Sequence, residues 1–328
     1  MFDVIKINLQ LFAEANTNVT TDSGLSVEMK TFYDMTLIDE AQANLVHDQF
    51  GQKRPIPKNG GKTIEFRKFA SLPKNTTALT EGVTPDGKKL TASKIEATVS
   101  QYGDYIVQSD VLELTSLDNT IIEATKILGR HAGLTLDTIT RNVLQSGKNV
   151  FYCPKSDGSV PSGRAGLDDT CVLTVDMVNK VVAFLKKNNA PKINGDYVCI
   201  IHPLVSYDLM NDDRWIESHK YAQPENLYNG EIGKVGGVRF IESSEAKVYD
   251  GGVFGCLFIA DGAYGITEIT GGGLETIVKQ KGSAGTADPL NQRSSIGWKA
   301  MKTAEILVEP YLVRVECKTT LKEFVEAN

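Results

Sequence analysis

The apolar positions change their rhythm several times along the chain, and each change marks an element. Residues 1 to about 25 hold short apolar patches followed by a Thr/Asn/Ser/Gly run, the pattern of an arm without a core of its own. From Ser26 to Gln49, Met29, Phe32, Tyr33, Leu37, Ile38, Ala41, Leu45 and Val46 recur at helical spacing. Ser26 as a cap and Glu28 in the first turn supply a start signal, so a helix is predicted there. Lys62–Phe69 then alternates polar and apolar residues, and Ile95, Ala97 and Val99 alternate again, which predicts two strands. About two dozen polar, turn-rich residues join them, a loop length that is usually functional. The two strands offer one modest apolar face that another surface must cover, so the pair is expected to reach over a neighbour.

The longest helical period runs from Ile121 to Gln145, opened by a Thr120–Glu123 capping box with Asp118 upstream and stopped by Gly147. About 25 residues at 1.5 Å per residue make a helix of about 38 Å. Gly129 and Gly133 each cost it about 1 kcal/mol relative to alanine, so they mark the close approach of another element. Beyond Gly166, helix and strand alternate. Thr174 caps a helix that presents Met177, Val178, Val181, Val182, Phe184 and Leu185 inward and ends at Asn188, Asn189 and Pro191. Tyr197–Ile201 is a continuous apolar run, the mark of a strand buried on both faces. His202-Pro203 turns into a short helix at Leu204–Met210, and strands follow at Val238–Ile241 and Val253–Ile259. The last third predicts strands at Leu274–Lys279, Ile296–Lys302 and Ala304–Cys317.

Composition narrows the function more than the fold. The chain has 328 residues, 41% hydrophobic and 23% charged, enough for about two domains with a full core. Its net charge of −6 argues against a strongly attracting nucleic-acid surface. Five dispersed cysteines (Cys153, Cys171, Cys199, Cys256, Cys317) read as free thiols of a reducing compartment. No apolar run is long enough for a membrane span, and the Lys6, Asn8 and Gln10 interruptions make the N-terminus a poor signal peptide.

Candidate chemistry mostly dissolves. Gly60-Gly61-Lys62-Thr63 imitates the end of a phosphate-binding loop, but the position for its leading glycine is Ile56, between Pro55 and Pro57, and a strand pattern follows it. A tight turn is the better reading. None of His47, His131, His202 and His219 has an i, i+4 partner; His47 and His131 fall in predicted helices as surface or packing residues. Cys199 with His202 is the one nucleophile-like pair, and its thiol lies deep in an apolar run. Asp168-Asp169 and Asp212-Asp213 lack calcium-loop spacing, so capping is favoured. Gly271-Gly272-Gly273 reads as a turn. No catalytic residue, metal site or cofactor is predicted. An arm, a projecting hairpin, a spine helix and an α/β module with uncovered apolar faces suggest self-assembly.

The ordered stretches GGKTIEFRKF (60–69), LTEGVTPDG (79–87), QYGDYIVQSD (101–110), ILGRHAGLTLDTITRNVLQ (127–145), LYNGEIGKVGGVRFIES (227–243) and DPLNQRSSIGWKA (288–300) resemble the major capsid proteins of tailed phages, most closely the coliphage N4 branch. NLQLFAE (8–14) is similar to the opening of structural proteins from phages of Gram-positive bacteria. The resemblance implies an α+β chain with the Hong Kong ninety-seven capsid fold: an N-terminal arm with helix (1–60), an extended β-hairpin loop (61–106), a peripheral domain with the spine helix (107–165), an axial domain (166–273) and closing peripheral strands (274–328). It implies hexamers and pentamers closing into an icosahedral shell around double-stranded DNA held without sequence-specific contacts. Scaffolding and portal proteins are the implied partners, no membrane is, and assembly is placed in the host cytoplasm. The contacts expected between subunits are Lys62, Ile64, Phe66, Arg67, Glu81, Lys88, Lys89, Phe32 and Leu37. An encapsulin-like cargo shell shares this fold and is the cognate alternative; a Cys199/His202 hydrolase is the alternative of another class.

Overall fold

Two sheets, one long helix and a projecting ribbon organise the chain. The structure is a computed structural model and describes residues 37–328 except 39, 42–44, 70, 71, 73, 80, 83, 85, 116–119, 221–230, 284–287, 326 and 327. The strands are β1 (Gln52–Lys53), β2 (Thr63–Phe69), β3 (Ala92–Thr98), β4 (Ser100–Ser109), β5 (Val150–Tyr152), β6 (Tyr197–Ile201), β7 (Glu231–Val235), β8 (Val238–Glu242), β9 (Val248–Tyr249), β10 (Val253–Ile259), β11 (Tyr264–Glu268), β12 (Glu275–Lys279), β13 (Arg293–Ile306) and β14 (Leu312–Cys317). The helices are α1 (Asp110–Thr115), α2 (Thr120–Gln145), α3 (Val175–Lys187), α4 (Pro203–Met210) and α5 (Asp213–Lys220).

The axial sheet has seven strands in the order β5-β14-β10-β6-β8-β7, with β9 hairpinned onto β10. β6 and β8 run parallel, joined by a crossover that contains α4 and α5, while β10 runs antiparallel to both β6 and β14. Its central strands are apolar throughout because both faces are covered. Cys199 and Ile201 point into one core with α3, and Val198 and Ile200 point into a second with Leu144 of α2, Phe50 and Tyr264. Thr174 caps α3 as its sequence predicts, accepting the Met177 N–H.

The peripheral sheet is built on β13. β4 pairs with it along Arg293–Lys302, β12 pairs with Ser295–Lys299 and β11 with Lys302–Ile306. Residues of β13 that face both β4 and a second partner show that β4 lies on one side and β11 with β12 on the other. One face of this sheet, through Ile296, Trp298 and Ala300, packs on Ala124, Leu128, Ala132 and Leu136 of α2. Fully burying a leucine such as Leu128 or Leu136 stabilises this joint by about 1.5–3 kcal/mol. Residues 37, 38, 40 and 41 are helical and lie across α2 at Gly129 and Gly133. A Cβ on Gly133 would stand 2.5 Å from the Ala41 carbonyl oxygen, which is the close approach that the two glycines predict.

Several expectations are corrected. The helix predicted to Gln49 ends before Leu45. The reason is a buried polar lock at the next turn. The His47 backbone N–H donates to Asp137 Oδ1 at 2.7 Å, its ring Nδ1 pairs with Asp137 Oδ2 at 2.6 Å, and the Tyr264 hydroxyl donates to its carbonyl. That backbone is spent on tertiary partners, and His47 is fully buried rather than on a helix surface. The single strand predicted at Ala304–Cys317 is two, because a 3-10 turn at Glu309-Pro310-Tyr311 separates β13 from β14. β14 then joins the axial sheet between β5 and β10 instead of closing the peripheral one, whereas β11 leaves the axial segment for the peripheral sheet. β4 runs through residue 106, where the extended loop was expected to end, and pairs along its whole length with β13. The Thr120 cap and the start of the first helix lie outside the described side chains and residues.

Candidate assembly surfaces

The ribbon is made by β2 and β3, paired antiparallel from Thr63↔Thr98 to Phe69↔Ala92. A two-stranded ribbon is marginal alone in water, so its root is clamped. Strand β1 adds parallel to β11, and Ile56 continues the edge by donating to the Glu268 carbonyl at 2.7 Å and accepting from Thr270 at 2.8 Å. Gly60 N–H then closes a turn on the Pro57 carbonyl, with Asn59 and Gly61 at positive φ of 70° and 89°. The tetrad that imitates a phosphate loop is therefore a turn into β2, and Ile56 is a buried residue in an isolated parallel bridge to Ile269. Val99 N–H donates to the Lys62 carbonyl at 2.8 Å and holds the two roots together.

The ribbon's two faces differ. Phe66 and Ala97 are buried, and a Cβ on Gly265 would meet the Phe66 ring at 2.8 Å, so the glycine makes room for that ring. The Arg54 guanidinium lies 5.6 Å from the same ring's centre. The opposite face carries Glu65, Arg67, Lys94 and Glu96. Glu65 stands directly across from Glu96, and Lys94 bridges both at 3.4 and 2.5 Å. Its hydrogen bonds to Glu96 and Glu65 raise the Lys94 ammonium above its ordinary range.

Of the residues expected to touch a neighbour, Lys62, Arg67, Glu81, Lys88 and Lys89 are exposed and Ile64 is half-buried. Phe66 and Leu37, expected as contacts between subunits, are buried within the chain itself: Phe66 at the ribbon's root and Leu37 against α2. Phe32 lies outside the described residues. Sequence reasoning missed a larger feature. The outer face of β4 and the adjoining α1 expose Tyr105, Val107, Val111, Leu112 and Leu114, and the loop between β2 and β3 exposes Leu72, Leu79 and Leu90. The signal was present as apolar residues on the strand face opposite Tyr102 and Ile106, but β4 itself was not predicted.

The enzyme-like positions have packing roles. Cys199 is fully buried, and burial pushes its thiol well above the ordinary range. His202 accepts the Leu204 N–H through Nδ1 at 3.2 Å, capping α4, and burial lowers its pKa. Neither is poised for nucleophilic chemistry, which removes the observation behind the hydrolase reading. Asp168 accepts from the Thr170 hydroxyl and backbone, and that hydroxyl is the main cause of a carboxyl pKa lowered to about 2. Asp169 pairs with Lys318 and Lys322, and Asp212 holds the Val175 and Arg214 N–H groups. Among the described residues, no cluster of His, Cys, Asp and Glu could hold a metal ion, and no helix is long and apolar enough to cross a membrane.

Comparisons with known proteins agree with this architecture. No curated protein matches the sequence. The capsid of the cyanophage P-SCSP1u superposes with a TM-score of 0.65 at 14% identity, over 84% of this chain and 89% of that one. The capsid of the cyanophage Pam1 gives 0.62 at 13%, over 81% and 87%. The SrpI encapsulin of Synechococcus elongatus PCC 7942 gives 0.56 at 10%, over 85% and 89%. At such identities these likenesses speak for the fold alone, a fold that phage capsids and an encapsulin share. The family described as phage capsid protein matches residues 3–256. That match spans well over half of the sequence, so the chain belongs to the phage capsid protein family and carries its Hong Kong ninety-seven-type fold, as a structural protein of the virion capsid.

Proposed function

We propose that the chain is the repeating subunit of the shell, that it assembles as hexamers and pentamers into an icosahedral capsid, and that the ribbon and its loop are the principal contact with the adjacent subunit. The observation that supports this is an imbalance. The ribbon's root is clamped by β1, Ile56 and Phe66, yet its loop ends in exposed leucines and lysines. A rigid base and an uncovered apolar tip suit an element that binds outside its own subunit. Lys62 and Arg67 near the base, and Glu81, Lys88 and Lys89 in the loop, are the polar contacts of that reading. Double-stranded DNA fills the shell without sequence-specific contacts, scaffolding and portal proteins guide closure, and assembly takes place in the host bacterial cytoplasm.

Deletion of residues 74–90 tests the assignment. The shortened chain keeps its unfolding midpoint, since the exposed loop adds little to either core, and electron microscopy of the protein expressed with its scaffold finds capsomers or free subunits instead of shells. Shells in normal number from the shortened chain would overturn the role given to the loop. The likeness to an encapsulin supports a second reading, a cargo shell, and the contents decide: purified shells hold DNA on the first reading and an enzyme on the second.

A further inference from the structure

The five cysteines are dispersed in the sequence, and the fold gathers all of them into one core, on the face of the axial sheet that α3 covers. Three stand in a row across neighbouring strands. Cys317 ends β14, and the parallel register that sets Tyr152 beside Glu316 brings Cys153 beside Cys317, with the Cys153 N–H donating to the Glu316 carbonyl at 3.1 Å. On the other side β10 pairs Phe254 with Cys317, so Cys256 is its diagonal neighbour on the same face. The Cys256 and Cys317 sulfurs are 3.7 Å apart. Cys317 is thus the middle thiol of the row.

All five thiols are free and buried. A cysteine packed singly in a core acts as a small apolar residue. The row differs because its sulfurs meet one another. Cys171 stands apart from it, with its thiol donating to Asp168 Oδ1 at 3.4 Å. Cys199 lies on the next strand, β6, where its ladder partner is Phe258. The sulfurs of a disulfide are about 2.05 Å apart, so Cys256 and Cys317 have to close by about 1.7 Å, within the reach of a side-chain rotation.

We propose that Cys256 and Cys317 are a modification site: on oxidation they form a disulfide within the subunit, a staple between β10 and β14 that the newly folded chain lacks. The oxidant is a small organic disulfide, RSSR. One cysteine thiolate attacks it, forming a mixed disulfide and expelling one RS⁻, and the second cysteine thiolate then displaces the other. Two cysteine thiols and RSSR become one Cys–S–S–Cys and two RSH, with both cysteine protons ending on the released thiols. Hydrogen bonds to Cys153 and Cys256, together with burial, hold the Cys317 thiol well above its ordinary range, so the reaction waits for a local opening. The opening has a natural place. Cys317 leads directly into residues 318–325, which are held by the Lys318 N–H on the Cys171 carbonyl at 2.8 Å and by Lys318 and Lys322 on Asp169. Surface ion pairs of that kind hold an end weakly. The bond is therefore absent in a reducing compartment and closes slowly in an oxidising one. Only this timing rests on the shell reading, which places oxidation after release from the host; the bond itself needs no assembly.

The purified full-length subunit tests this without any shell. It is held with hydroxyethyl disulfide a few degrees below its melting midpoint, alkylated in denaturant, and examined by mass spectrometry and peptide mapping. Alkylated thiols are expected to fall from five to three, with one bond joining the peptides that carry Cys256 and Cys317. The melting midpoint is expected to rise by about 5 °C or more, because the bond ties residues 61 apart in the unfolded chain. Dithiothreitol reverses both changes. Cys317→Ser abolishes them, and Cys199→Ser keeps them. Five free thiols in the folded protein, under conditions that oxidise the urea-unfolded chain, overturn the staple and leave the shell reading standing. A bond from Cys317 to Cys153 overturns the pairing with Cys256. A wild-type chain that forms no shell with its scaffold overturns the shell reading and leaves the staple standing.

Discussion

The axial and peripheral sheets are made from the same chain by different rules. In the axial sheet every residue of β6 and β10 is buried, and two cores cover its faces. In the peripheral sheet α2 covers one face, while the other leaves Tyr105 and Val107 in solvent and Lys299 half-buried. One sheet is finished within the subunit. The other leaves one face uncovered within the subunit, an asymmetry that suits the proposed assembly with further copies of the chain.

The largest effect on the single subunit is expected in the finished sheet. Phe258 is fully buried on β10, edge-on to Phe240 at 6.4 Å between ring centres. Phe258→Ala removes that ring from a closed core and costs about 3–5 kcal/mol. Chemical denaturation of the soluble subunit measures it. A loss below about 1 kcal/mol would mean that the axial core relaxes around the cavity.

The second effect lies where the sheets join. His47, Asp137, Asp48, Thr140 and Lys302 form a buried polar cluster that ties the segment after the first helix to α2 and β13. Asp137→Ala leaves the His47 N–H and its ring without their acceptor in a dry site, for about 1–3 kcal/mol. Hydrogen exchange is expected to rise at residues 45–50 and along α2 while the central axial strands stay protected. Equal loosening of both sheets would show that the joint belongs to one cooperative core.

How much of this was legible depended on how local each signal is. The α2 helix, the cap at Thr174 and the doubly buried β6 were readable because periodicity and capping act within a few residues. The end of the first helix was not, because His47 is held by Asp137 and Tyr264, far away in sequence. The strand β4 was missed because Gly103 and Asp104 break its alternation and its pairing partner is β13, nearly two hundred residues on. The destination of β14 was missed because nothing local tells a strand which sheet to join. For the candidate surfaces, the charged and polar loop residues could be named from composition, but the packing of Phe66 and Leu37 within their own subunit depends on Gly265 and Gly129, which only the folded chain brings near.

Gly133→Ala sets two local rules against each other and gives a smaller shift. Helix propensity favours alanine over glycine by about 1 kcal/mol in α2. The new Cβ meets backbone atoms of Ala41, at 2.5 Å from the oxygen and 3.0 Å from Cα, and a main chain cannot rotate away as a side chain can. The steric term is expected to win, with a net loss of about 1–2 kcal/mol by thermal or denaturant melts. A gain in stability would mean that the first helix does not rest on α2 in solution.

Tyr105→Ser carries the smallest expected change in the subunit and bears most directly on the difference between the sheets. The side chain stands in solvent on the face away from α2, so its removal changes subunit stability by no more than about 0.5 kcal/mol in either direction. The same substitution removes the largest apolar side chain of the uncovered face, and a partner that covers this face loses that contact. Shell yield by sedimentation should therefore fall while the melting curve of the free subunit stays in place. If melting and assembly fall together, Tyr105 supports the fold and the peripheral sheet is as self-contained as the axial one. If neither changes, the face is no interface, and the neighbour completes the subunit elsewhere.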